Sequence, residues 1–220
     1  ALAWYDRAHG WALEAGDALL AATTLSMRAH QAWSIGDGRT CVRLAEAARL
    51  HDGRTTPGVQ GMAAQMAARG HALLGEARSA RILLDEAEEL IGRAADHPEN
   101  EPPWMYFYDA AWFAMQRGMA EIELGAGDRA VPLLEAGLSR LPDAYRRDRA
   151  WFGSCLAQAY LLKGDADAAA GIALQVAEDA IAVNAYAVQT LRKVAAALRD
   201  TRTPAVRDLD DLLATAQLSN

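Results

Sequence analysis

The side chains able to carry chemistry are few, and their spacing points away from bond-making. Five histidines stand at 9, 30, 51, 71 and 97. No two of them are four residues apart, and neither Cys41 nor Cys155 stands at zinc spacing from a partner, so no metal site is framed. Gly36-Asp37-Gly38 is too short to cradle a phosphate and reads as a turn between helices. Asp85-Glu86, Glu88-Glu89 and Asp208-Asp210-Asp211 sit among apolar neighbours as solvated helix faces do. A serine nucleophile would need a base and an orienting group, and the chain nominates neither. The expectation is no enzyme, no metal and no cofactor.

Binding chemistry is better represented. The densest feature is the aromatic run from Trp104 to Phe113. With a helix over 104–124, Trp104, Tyr108 and Trp112 fall at i, i+4 and i+8, and Tyr108 and Asp109 lie one turn before Trp112 on one face. Tyr and Trp join apolar area to a polar handle, as binding sites often require. The other reading is an aromatic core packed against the neighbouring proline-rich loop, and part of the stripe must be core in either case.

The elements that would position these residues are helices. Apolar residues make up 52% and charged residues 23% of 220 residues, with abundant alanine and sparse Val, Ile, Phe and Thr, a bias toward close-packed helices and against sheet. Net charge is −7, which disfavours binding of a phosphate backbone by this chain. Two cysteines in separate helical patterns imply a reduced, cytoplasmic setting. No apolar run reaches membrane-span length. The chain opens inside a helical pattern without Met, Trp4, Ala8, Trp11 and Ala15 making one stripe, so residues 1–16 are expected to be the trailing helix of a truncated preceding repeat. Gly16-Asp17 ends that helix and caps the next. Thr56-Pro57 and Thr203-Pro204 mark helix starts. Three prolines between Pro98 and Pro103 exclude helix interior.

A four-fold echo organises the rest. With Gly36, Gly75, Gly125 and Gly164 in register, the residues seven before are Ala29, Ala68, Gly118 and Ala157; five after come Cys41, Ala80, Ala130 and Ala169; twelve after come Ala48, Ala87, Gly137 and Val176. A fixed period of this size marks stacked helical hairpins, with small residues where backbones approach. The expected helix pairs are 17–52, 56–95, 104–142 and 144–181, followed by capping helices over 184–220.

These residues resemble the tetratricopeptide repeat (TPR). The third unit is the fullest match, with Gly118, Glu123-Leu124-Gly125, Ala130, Gly137 and Pro142; the fourth offers Ala157, Tyr160, Gly164-Asp165 and Ala169. The resemblance implies an all-α fold, a right-handed α-solenoid of antiparallel helix pairs. A period of 39 instead of the usual 34 implies longer helices. More narrowly, Pro102-Pro103-Trp104-Met105-Tyr106-Phe107-Tyr108-Asp109 and the stretch from Leu138 to Tyr160 look like the sensor half of actinobacterial helix-turn-helix regulators of the Xre type.

The TPR resemblance also implies which positions line a concave face. By register these are Thr23, Ser26, Met27 and His30; Met62, Gln65, Met66 and Arg69; Trp112, Met115, Gln116 and Met119; Trp151, Ser154, Cys155 and Gln158. Five of the six methionines fall here, and methionine suits surfaces that adapt to varied apolar partners. A methionine-rich groove for a peptide, a protein or a hydrophobic small molecule is one expectation; methionines filling gaps between helices is the other. His30 and Arg69, with Arg147 a turn before the fourth set, could hold an anion; the second reading of Arg146-Arg147-Asp148-Arg149 is a solvated helix start. The expected binding residues are thus Met27, His30, Met62, Met66, Arg69, Tyr108, Asp109, Trp112, Met115, Gln116, Met119, Arg147, Trp151 and Gln158. The resemblance implies a sensor passing a binding event to a DNA-binding domain, with an adaptor lacking a ligand switch as the alternative, no nucleic acid or membrane bound by this chain, and a homodimer as one possible assembly.

Overall fold

Helix starts and stops in this chain are set by short-range chemistry. In the computed structural model, which describes residues 2–51, 53–201 and 204–215, the helices are α1 (Leu2–Ala15), α2 (Ala18–Ser34), α3 (Gly38–Arg49), α4 (Pro57–Leu73), α5 (Ala77–Asp96), α6 (Ala110–Glu123), α7 (Gly127–Arg140), α8 (Arg146–Lys163), α9 (Ala166–Val183), α10 (Ala185–Leu198) and α11 (Pro204–Thr215). The described residues contain no strand. Thr203, expected at the start of the last helix, lies outside the described residues. Asp17, Asp37 and Asp165 each accept from the backbone N–H three residues on, at 2.9, 3.0 and 3.0 Å, which satisfies a donor the helix start would otherwise leave bare. Gly36, Gly75, Gly125 and Gly164 all have positive φ, from 71° to 86°, a conformation a Cβ would strain.

The helices form two units, Ala1–Gln116 and Arg117–Asn220. In the first, α4 packs against α2, α3 and α5, and α1 packs on α2. Nearly the whole length of α4, from Gly58 to Gly70, is buried. In the second, α8 packs against α7, α9 and α10, and α11 packs on α9 and α10. Its core joins small residues, Ala157, Ala169, Ala173 and Ala177, to larger ones near the C-terminus, Leu191, Leu198 and Leu209.

The echoed small residues sit where backbones meet. Ala29, Cys41, Ala48, Ala68, Ala80, Ala87, Ala130, Ala157 and Ala169 are all fully buried. A Cβ on Gly118 would stand 2.8 Å from Leu134 Cγ. Two further close approaches were not read from the sequence. A Cβ on Gly38 would meet the Gly70 carbonyl oxygen at 3.0 Å, and one on Gly127 would meet Lys163 N at 2.5 Å and Ala159 O at 2.6 Å. In both places a second-of-pair helix begins almost in backbone contact with the end of the next first-of-pair helix.

One predicted helix boundary is corrected. The 104–124 helix begins only at Ala110; residues 98–100 and 103–105 form 3-10 turns instead. The reason is Asp109, whose carboxylate accepts from Trp112 N–H at 2.8 Å while its carbonyl accepts from Phe113 N–H at 2.9 Å. That is an N-cap, so Trp104, Tyr108 and Trp112 share no helical stripe.

Candidate functional site

The sequence-predicted residues of the first unit converge on the face made by α2, α4 and the start of α6, but most of that face is covered. Met62, Met66 and Met115 are at most 4% exposed; α2, α3 and α5 enclose α4 around the first two. They are packing residues, the alternative the sequence had left open, and they present no open methionine surface. Met27 is half-buried beside the same cluster as Met62. Met119, in the second unit, is buried as well.

What covers the face is the chain itself. The segment Glu101–Asp109 lies along the groove between α2 and α4. At its start, Glu101 reaches the N-terminus of α4: its Oε1 accepts from Gly58 N–H at 2.8 Å and its Oε2 from the Thr56 hydroxyl at 2.5 Å. Thr56 occupies the N-cap position yet makes no side-chain cap; the capping oxygen arrives from 43 residues away. Gly58 makes this possible, because a Cβ there would stand 2.5 Å from Glu101 Oε2. Farther along, Trp104 Nε1 donates to the Thr23 hydroxyl at 3.3 Å, and Met105 is buried in a cluster with Ala22, Leu25, Ala48, Val59, Met62 and Ala63. Tyr108 then donates from its hydroxyl to Gln65 Oε1 at 2.9 Å, and burial pushes its phenol pKa up. Tyr106 (82% exposed), Phe107 and Trp104 leave apolar area in solvent, and Phe107 meets Trp112 edge-on at 5.4 Å.

Beyond the segment lies a polar core around Arg69. This residue is 3% exposed. Its guanidinium lies over the Trp33 ring, and its Nη1 donates to Gln116 Oε1 at 3.0 Å. His30 stacks on the same Trp33 ring at 5.6 Å. Burial, aided by the Arg69 charge, lowers the His30 pKa to about 4, so the ring is neutral near pH 7. Among the described residues, no hydrogen-bond acceptor faces the buried Nε1 of Trp33 or Nε2 of Gln65. Trp33, Gln65 and Met105 were outside the sequence-predicted site; Gln65 occupied an inward register position, and Trp33 follows His30 by three residues, the one signal that could have found it.

In the second unit, Arg147 is exposed, and its carbonyl accepts from Asn184 Nδ2 at 3.2 Å. Trp151 is half-buried against the core of that unit, and Gln158 is half-buried on the same helix. Burial raises the Asp148 pKa beside them against the lowering effect of Arg147. Among the described residues no group of three or more His, Cys, Asp or Glu could hold a metal, and no helix is long and apolar enough to cross a membrane.

No family model matches the chain, and no curated protein matches it. Solved structures do. A kinesin-light-chain-type protein of nearly identical TPR-like repeats from Podosopora anserina aligns over 90% of this chain and 95% of its own, with a TM-score of 0.60 at 17% identity. A single-substitution variant of that protein aligns over 90% and 94%, with a TM-score of 0.59 at 17% identity. Helix pairs, turn glycines and these neighbours agree: the chain has the all-α, TPR-like solenoid fold.

Proposed function

We propose that this chain is a polypeptide-binding module whose recognition surface in the first unit is the groove between α2 and α4. The observation that supports this most is that the groove already holds a piece of polypeptide outside the α-helices, residues 101–109, by a carboxylate at one end, a buried thioether in the middle and a phenol hydroxyl farther on. A surface that satisfies one such segment has the donors, acceptors and apolar depth to satisfy another. His30 and Trp112 extend it past the buried Arg69–Gln116 contact; Trp151 and Gln158 stand at the corresponding register positions of the second unit, taken by itself, with Arg147 a turn before them.

Peptides selected from a random display library test the reading. Thr23→Arg, at the rim of the groove, is expected to weaken selected peptides at least tenfold, whereas Ile82→Arg, on the exposed face of α5, leaves them unchanged. Equal effects of the two variants would overturn it. In its finer form, the module is the sensory half of a transcriptional regulator and its DNA-binding domain lies elsewhere in the polypeptide. The likeness of residues 102–109 and 138–160 to Xre-type sensors supports that form. A fusion of this module to a DNA-binding domain, with operator affinity measured with and without a selected peptide, tests it: no change in affinity favours an adaptor without a switch.

A further inference from the structure

The way residues 101–109 fill the α2–α4 groove specifies what else fits there. We propose that this segment is a displaceable internal ligand, and that the partner is a short segment of another protein with the same chemistry: an acidic residue, an indole or similar ring three positions on, a long apolar side chain next to it, and a tyrosine three residues after that. The inference rests on the peptide-binding reading above and adds the partner class and its regulation by competition.

Each feature answers a fixed group on the groove. The acidic residue meets two donors at the start of α4, Gly58 N–H and the Thr56 hydroxyl, where the helix dipole also favours negative charge. The ring N–H meets the Thr23 hydroxyl. The apolar side chain enters the depression between Leu25, Val59 and Met62 that Met105 fills. The tyrosine hydroxyl meets Gln65 Oε1. Three of these four contacts use side chains on the two first-of-pair helices, and none is covalent.

Two features favour exchange over permanent closure. The segment is anchored at separate points, with Tyr106 between them turned to solvent, so it can peel in stages. Its ring contact at Thr23 is long, 3.3 Å, and Trp104 is 38% exposed. An intramolecular occupant raises the concentration a competitor must overcome, so the bound state of the partner is set by how firmly the segment is held. Loosening it increases apparent affinity by the fraction of time the groove is open.

The test uses a fluorescent peptide copying residues 98–110, added to the full chain and to two variants, Trp104→Ala and the milder Glu101→Gln, each checked for native helix content. Binding is read by anisotropy. The expected result is at least tenfold tighter binding to either loosened variant than to the unaltered chain, with loss of binding when the peptide itself carries Trp→Ala and Tyr→Phe. Equal affinity for all three chains, while library peptides still depend on Thr23, would overturn the competition proposal and leave the binding function standing. If neither the copied peptide nor library peptides touch the α2–α4 face, the binding function itself fails. Dimers formed by the loosened variants, with the segment exchanged between copies, would overturn the foreign partner in favour of a second copy of this chain.

Discussion

The guanidinium carbon of Arg69 lies 3.4 Å from the centre of the Trp33 ring, so a cation is stacked on an indole inside the fold. The pairing links α2 to α4, and the Arg69 contact with Gln116 extends it to α6. Arginine suits this place because its guanidinium is flat and weakly hydrated, so it can lie on a ring and donate sideways at once.

Arg69→Lys is expected to lower stability by about 2 kcal/mol, the size of a desolvated cation–π contact. Lysine keeps the charge that must be buried but has neither the plane nor the fork. Arg69→Met removes the charge at similar volume and is expected to cost less, because a buried lysine must be desolvated without the stacked plane while a methionine thioether packs well against an indole. Urea unfolding followed by circular dichroism ranks the two. The opposite order would show that the charge, not the stacked plane, is what the site requires.

Glycines divide into those the packing demands and those it does not. Gly92 and Gly171 lie inside helices with nothing within 4 Å of an added Cβ. Alanine there is expected to raise stability by about 0.5–1 kcal/mol each, because the unfolded chain loses freedom and the folded one loses nothing. At Gly127 the added Cβ would fall 2.5 Å from Lys163 N, and at Gly70 it would fall 2.9 Å from Val42 N. Alanine at either position is expected to cost about 1–3 kcal/mol through displaced backbone. Thermal melts of the four single variants check this; unchanged or raised melts at Gly127 and Gly70 would refute the close-approach geometry.

Helix ends and repeat register were legible because their causes are local. A turn glycine, an aspartate cap or a proline acts within a few residues, and the small residues flanking Gly36, Gly75, Gly125 and Gly164 repeat at fixed offsets. The burial of Met62 and Met66 was not legible, since inward register positions stay open only where neighbouring helices and returning segments leave them so, and here α2, α3 and α5 enclose α4. The covering segment binds across 43 to 81 residues of sequence, and no local pattern encodes that distance. Asp109, read only as a candidate binding residue inside the helix, caps α6, and the aromatic spacing of Trp104, Tyr108 and Trp112 matched a helical period by coincidence. The Gly38–Gly70 approach required knowing which two helices face each other.

Cys41 is expected to resist alkylation while the protein is folded. Burial raises its thiol pKa to about 11, against partial lowering by Arg69 and the Gly70 N–H, and its sulfur donates to the Met66 carbonyl at 3.3 Å. About one thiol in a thousand is then ionised at pH 8, and the thiolate is the reactive form. Iodoacetamide at pH 8 followed by mass spectrometry should leave Cys41 unmodified in buffer and modified in urea. Rapid labelling in buffer would mean that the α3–α4 contact opens readily.

The neutral His30 ring sets a pH dependence with a defined sign. Its pKa falls from 6.5 to about 4 on folding, first through burial and then through the Arg69 charge. Above pH 6.5 both states carry a neutral ring, and the contribution is level. As pH falls below 6.5 the unfolded chain takes up a proton that the folded one refuses, so stability declines until the folded ring is protonated near pH 4. Between pH 7 and pH 5 this group alone removes about 2 kcal/mol. His30→Gln is expected to lose that share of the slope while keeping a polar side chain beside Trp33. Urea midpoints of both proteins at pH 5, 6 and 7 measure it, and parallel slopes would show that His30 titrates in the folded state as it does in water.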